Sequence, residues 1–183
     1  MNAEFHMVYY FHMRRSTFPQ KRKELDYAVG VTCQIDRKHY FLCADIDNPK
    51  HVKHILNNLP SWVVNKMCGL IVTETRKGNH VIILGRFKWR ECNRFWTMFK
   101  NVIDRGWIQL QRLRHNHMNR IGAVLRVCGK YRVPDVRVLV AIYDRCDDGI
   151  KWWVERYLAA VKICRRRGAS RARDKGIYRQ GIA

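Results

Sequence analysis

The chain has 183 residues, 47% of them hydrophobic and 11% aromatic, with 36 Lys and Arg against 15 Asp and Glu, a formal net charge of +21. That apolar content excludes a disordered polymer, and the length suits one domain with a real core. The charge points to a polyanionic partner, nucleic acid ahead of an anionic membrane surface, because the sequence holds no transmembrane run and no long Lys/Arg-faced amphipathic helix.

At the N-terminus, "MNAEFHMVYYFHMRRS" sets its basic residues after the apolar stretch, the reverse of a secretory signal. The seven cysteines, at 33, 43, 68, 92, 128, 146 and 164, form no CxxC and no close pair. They read as small buried hydrophobes of a protein kept in a reducing, intracellular (cytoplasmic) compartment. Residues 27 to 47 read as a hairpin, "YAVGVTCQI" and "HYFLCADI", turning near Asp36 and Arg37. Asn48 as N-cap and Pro49 as first helical residue open a short helix, "PKHVKHILNNL", which Pro60 ends. A second hairpin follows, "GLIVTET" and "HVIILG" around "RKGN", and then a helix over 89–103 with Phe95, Trp96, Phe99, Val102 and Ile103 on one side.

Beyond Asp104 and Gly106, "WIQLQRL" reads as a strand, as do "AVLRVCGKY" and "VRVLVAIYD". The longest helix is expected over "IKWWVERYLAAVKICRRR", with a frayed basic end after it. The sum is an α+β domain over 1–164, a mainly antiparallel, RRM-like sheet with helices packed on one face, and a basic tail over 165–183.

Asp45 and Asp47 in "FLCADIDNPK" lie two apart on a strand, so their carboxylates share a face and repel. A divalent cation, Mg²⁺ or Mn²⁺, relieves that repulsion through carboxylate oxygens. The plain alternative is that Asp47 caps the helix at Pro49 while Asp45 pairs with an arginine. His80 opens an apolar strand just past a turn carrying Arg76, Lys77 and Gly78, where an imidazole and backbone N–H groups can meet a phosphate. A surface histidine at a hairpin tip would look the same. In "VLRVCGKYR", Arg126 and Lys130 suit a triphosphate, one as a fork and one as a point charge, or else a solvated sheet face.

Taken in order, "ADID", "GNH" and "NVIDRGW" resemble the three motifs of the archaeo-eukaryotic primase superfamily, including the primase-polymerases of plasmids and viruses, over about residues 27–132. The resemblance implies a primase-polymerase-like core that performs template-directed nucleotidyl transfer. It implies that Asp45, Asp47 and Asp104 are catalytic and hold two divalent ions, Mg²⁺ or Mn²⁺. It further implies that His80, Arg76, Lys77, Arg126 and Lys130 bind the incoming nucleoside triphosphate. Gly78 stands where the family usually has serine, Asp135 and Asp144 compete with Asp104 for the third acidic place, and no zinc-binding stem is present.

The implied partners are a single-stranded DNA template and nucleoside triphosphates, with a helicase or accessory replication subunit in trans. Arg112, Arg114, Arg120, Arg165, Arg166 and Arg167 are candidates for tracking the template backbone. Two other readings stay open. One is a non-catalytic protein that binds single-stranded nucleic acid on an RRM-like sheet. The other is a rolling-circle replication initiator using His115 and His117 as a metal pair and Tyr157 as nucleophile.

Overall fold

The computed structural model describes residues 8–12, 27–75, 77–117, 122–128 and 136–174. In chain order these form β1 (Val8–His12), β2 (Tyr27–Thr32), β3 (Tyr40–Ile46), α1 (Lys50–Asn57), α2 (Ser61–Val64), β4 (Gly69–Thr75) and β5 (Asn79–Phe87). Then come α3 (Trp89–Met98), α4 (Arg105–His117), β6 (Val124–Cys128), β7 (Val136–Ile142) and α5 (Asp148–Asp174). The class is α+β and every strand pairing is antiparallel, but the strands divide between two sheets, ordered β1-β2-β6 and β3-β5-β4-β7.

The hairpin expected over 27–47 therefore opens at its base. Asp36 Oδ1 accepts the N–H groups of Lys38 and His39 at 2.8 and 2.9 Å, which makes the turn. Behind it, Phe41 N–H donates to the Cys33 carbonyl, and Gln34 and Tyr40 form a single bridge. Cys33 N–H then turns to the Ala123 carbonyl at 2.7 Å, so β2 leaves β3 and pairs with β6 instead.

Helices cover both faces of the four-stranded sheet, not one. Phe41, Cys43 and Asp45 point to the side occupied by α5. Phe41 meets Trp153 edge-on at 4.6 Å between ring centroids, and Trp153 Nε1 donates to the Thr32 carbonyl of the other sheet at 3.1 Å. On the opposite side, Phe87 meets Trp62 of α2, and Gly85 backs onto the Lys66 carbonyl, where a Cβ would sit 2.5 Å from the oxygen. With φ of +159°, Gly85 is at that position because of the close approach. Burial on both sides explains why β3 and β5 read as continuous apolar runs and not as alternating ones.

"WIQLQRL" is helical. Its polar/apolar alternation suggested a strand, but Ile108, Gln111 and His115 are the buried residues of α4, a helical spacing. Asp104 caps this helix, its Oδ1 accepting Trp107 N–H at 2.6 Å. Gln111, the polar residue at the buried stripe, is used by the fold, since its Oε1 accepts Val124 N–H at 2.9 Å. The last helix is also longer than expected. α5 runs to Asp174, so Arg165, Arg166 and Arg167 fall within it.

Candidate functional site

The middle of the α5-facing side of the large sheet is apolar except in one row, with Thr75 and Arg86 toward the ends of β4 and β5. Cys43, Ile82 and Ile71 lie side by side across β3, β5 and β4. Two residues further along each strand, the same register brings Asp45, His80 and Thr73 side by side. His80 Nε2 lies 3.6 Å from Asp45 Oδ1, with the histidine side chain 7% exposed and the aspartate 34%. Tyr157 of α5 closes the row from above, its ring stacked on Trp153 and its hydroxyl beside Thr73. The sheet thus carries a polar rung that is buried at the Thr73 end and opens toward water at Asp45.

Asp104 reaches this rung through the outer edge of β3. That edge would expose the carbonyls of residues 41, 43 and 45, and α3 with the turn after it supplies donors to them. Trp96 Nε1 donates to the Cys43 carbonyl at 2.8 Å, Cys92 Sγ approaches the Phe41 carbonyl at 4.0 Å, and Asp104 N–H donates to the Asp45 carbonyl at 2.9 Å. Asp104 is half-buried, and its Oδ1 is committed to capping α4. The backbone of the third aspartate is therefore beside the first, while one of its carboxylate oxygens faces a helix N-terminus.

Asp47 is exposed just past the end of β3. The helix that follows does not use it. Asn48 Oδ1 accepts Lys50 N–H at 3.0 Å, and Pro49 already has helical dihedrals (φ −54°, ψ −28°), so Asn48 makes the start of α1. Gly78 presses on this same chain segment. A Cβ there would run into the Ile46 carbonyl and come within 2.8 Å of Asp47 Cα. The family's serine has no room at Gly78 while β3 ends as it does.

The remaining expected residues are dispersed. Lys77 is exposed in the β4–β5 turn, where its N–H donates to Thr75 Oγ1 at 3.3 Å. Arg126 lies on β6, paired with Gly30 in the three-stranded sheet, not in the sheet carrying Asp45 and His80. Arg112 is bound to α3 through Asn93 Oδ1 at 2.8 Å, a structural tie between α3 and α4. Arg114 is half-buried, and burial holds its guanidinium below the ordinary value. Arg76, Arg120, Lys130 and Asp135 lie outside the described residues, and Asp144 is exposed beyond β7.

Two neighbours of the rung are excluded as nucleophiles by their surroundings. Burial, reinforced by the Cys33 thiol and by Asp45, pushes the Cys43 thiol well up, so it stays protonated. Burial also pushes the Tyr157 phenol up, against a smaller opposing effect of the Thr73 hydroxyl. Tyr157 is 1% exposed and His115 is stacked on Trp89 at 3.6 Å, an arrangement unlike the exposed tyrosine and open histidine pair of a rolling-circle initiator.

For a divalent ion, Asp45 near the end of β3 and exposed Asp47 just beyond the strand carry the hard oxygen donors. Mg²⁺ commonly takes one or two carboxylates and completes its shell with water and substrate phosphates. Among the described residues, no three His, Cys, Asp or Glu side chains are gathered as a metal cage.

Thr73 was not legible as a site residue from motifs alone, and Tyr157 was singled out only as a nucleophile. The signal for Thr73 was present in the hairpin: with the turn at 76–78, residues 73 and 80 must pair. Compared with protein-family models, with curated proteins and with solved structures, the chain has no match.

Proposed function

We propose that this protein is a template-directed nucleotidyltransferase of the primase-polymerase type, acting on nucleoside triphosphates along single-stranded DNA. The observation that carries the reading is the placement of Asp45 beside His80, 3.6 Å apart on neighbouring strands, with Asp104 hydrogen-bonded to the Asp45 backbone. The order strand, helix, strand, strand, with β5 inserted between β3 and β4, is that of a split β-α-β unit and supports an RRM-like core. The second sheet, and a fourth strand added beside β4, go beyond that unit.

In this reading the protein's own groups do the positioning. His80 Nε2–H donates to a phosphate oxygen of the incoming nucleotide. Lys77, at the hairpin turn, adds positive charge at the same end of the sheet, with Arg76 next to it in sequence. Asp45 and Asp47 would hold Mg²⁺ or Mn²⁺, which supplies neutralisation of the triphosphate and acidification of the attacking hydroxyl. Asp104 sets the height of Asp45 through its backbone and orients α4 through its carboxylate. The basic remainder of the chain, net charge +21, tracks the template, and a helicase or accessory subunit acts in trans. Among the described residues no helix is long and apolar enough to cross a membrane.

A second reading, a non-catalytic single-strand binder, is favoured by one fact, the use of Asp104 Oδ1 as a helix cap. A primer-synthesis and primer-extension assay with Mg²⁺ or Mn²⁺ separates the two. The proposed enzyme extends, and Asp45→Asn/Asp47→Asn abolishes extension while retaining single-stranded DNA binding. Equal extension by both proteins sinks the catalytic assignment, and binding without extension by either selects the binder.

A further inference from the structure

The charge of the chain is unevenly placed. Residues 50–66 and 88–117, which carry α1 to α4, hold ten Lys and Arg against two carboxylates, Glu91 and Asp104. Both carboxylates are already engaged, Glu91 with Lys66 at 2.6 Å and with the Lys88 N–H, Asp104 with the start of α4. Residues 143–156, at the start of α5, hold four carboxylates against three Lys and Arg. A polyanion is therefore drawn to the α1–α4 layer and not to the first turns of α5.

Within that layer, exposed cations follow one another toward the site. Arg94 lies on the exposed side of α3, its guanidinium over the Trp62 ring of α2, 5.2 Å from the centroid. At the other end of α3, Phe99 meets His54 of α1 edge-on at 6.4 Å. That contact brings Lys53 and Lys100, their exposed neighbours in sequence, to the same helix junction. Arg105 is tied to this junction through the Lys100 carbonyl at 3.4 Å and Asn101 Oδ1 at 3.2 Å. Asp104, the residue before it, is bonded to the Asp45 backbone, so the row of cations ends beside the site. Lys66 and Arg86 are held in ion pairs, but among the described residues Lys53, Arg94, Lys100 and Arg105 have no carboxylate within ion-pair distance. Exposed and unpaired with carboxylates, these four charges contribute little to the fold and are open to phosphate.

We propose that Lys53, Arg94, Lys100 and Arg105 form a phosphate-binding strip for a single DNA strand, leading from the α2–α3 contact to the Asp45 end of β3. The inference rests on the reading given above for its ligand, and it names the surface that holds the template. The strip meets the backbone through surface charges, so it binds without regard to base sequence. Trp62 is half-buried beneath Arg94 and holds the guanidinium in place. Arg112 and Arg114 are half-buried and stand outside the strip, Arg112 being bound to Asn93.

The test follows a fluorescein-labelled oligothymidylate by fluorescence anisotropy across a salt series, alongside thermal melting. It compares the unsubstituted protein with Lys53→Gln/Arg94→Gln/Lys100→Gln and with Arg145→Gln/Lys151→Gln/Arg156→Gln. Both variants lose the same charge, the first from the strip and the second from the start of α5. The strip variant is expected to bind about tenfold or more weakly at ~0.1 M salt, with the slope of log K against log salt smaller by about 2, three contacts at about 0.7 each. The α5 variant is expected to stay within about threefold of the unsubstituted protein and to keep its slope. Lys53→Arg/Lys100→Arg, which keeps the charges, retains the affinity, and all the proteins melt within a degree or two of one another. Equal weakening and equal slopes in the two Gln variants overturn the inference and leave the reading of the site standing. No binding of the oligothymidylate by the unsubstituted protein overturns both.

Discussion

The N–H of Asp104 donates to the carbonyl of Asp45 at 2.9 Å, joining the end of the α3 region to the outer edge of β3 at the residue on which the site depends. Asp104 Oδ1 meanwhile accepts Trp107 N–H at 2.6 Å. One residue thus fixes both the strand edge and the start of α4. Substitutions at 104 separate its two possible uses. Asp104→Asn keeps the cap, so the fold is expected to melt within a degree or two of the unsubstituted protein. Asp104→Ala removes it, at a cost of about 1 kcal/mol. Loss of primer extension in Asp104→Asn at unchanged stability would give the carboxylate a catalytic role, whereas retained extension would confine Asp104 to positioning Asp45.

Gly78 offers a test in which structure and motif resemblance disagree. The resemblance favours serine there, and Gly78→Ser would restore the family pattern. The close approach of Gly78 to the Ile46 carbonyl and to Asp47 Cα forces the end of β3 to move instead. Gly78→Ser is expected to lower the melting temperature and to weaken Mg²⁺-dependent dATP binding. Tighter dATP binding in this variant would contradict the geometry.

Trp96 seals the same strand edge two residues before Asp45. Trp96→Phe leaves the Cys43 carbonyl without the indole donor at 2.8 Å, in a wholly buried place. A loss of about 1–3 kcal/mol in chemical denaturation is expected from the unsatisfied carbonyl. A variant as stable as the parent would show that the edge is closed by other means.

Acid should loosen the fold through two carboxylates. Burial raises both Asp36 and Glu91, but hydrogen bonds outweigh it: Lys38 N–H and the His39 ring for Asp36, Lys66 and the Lys88 N–H for Glu91. Both folded values end below the ordinary ones, so the stability they contribute is present above the unfolded values of 3.8 and 4.5 and is lost as pH falls through the folded ones. Melting temperature should accordingly hold steady down to about pH 5 and fall below about pH 4. Glu91→Gln, which can still accept Lys88 N–H, is expected to make that fall shallower, and an unchanged acid limb would assign it to other groups.

Much of this site could be read in the residues, and the parts that could not have physical reasons. The β4–β5 hairpin, with Thr73 opposite His80, follows from two apolar runs around a Gly-Asn turn, where register leaves little choice, whereas the approach of Asp45 to His80 depends on β3 pairing with β5, which no local turn dictates. The strand reading of "WIQLQRL" failed because a short amphipathic segment satisfies both periods, and the cap at Asp104 was the deciding signal. The parting of β2 from β3 was invisible because it depends on Ala123, a partner about ninety positions away in sequence. Thr73 escaped for a similar reason: a hydroxyl in an apolar strand gains meaning only when pairing places it beside His80.

The central claim is that Asp45 and Asp47 bring a divalent ion to the phosphates of a nucleotide held at His80. It is tested most directly by measuring free Mn²⁺ by electron paramagnetic resonance while titrating the protein with a non-hydrolysable deoxynucleoside triphosphate analogue. The account predicts that the nucleotide strengthens Mn²⁺ binding to the unsubstituted protein, and that Asp45→Asn/Asp47→Asn weakens it by about tenfold or more, the scale of losing two charged ligands. Equal Mn²⁺ binding by the two proteins in the presence of the nucleotide would contradict it.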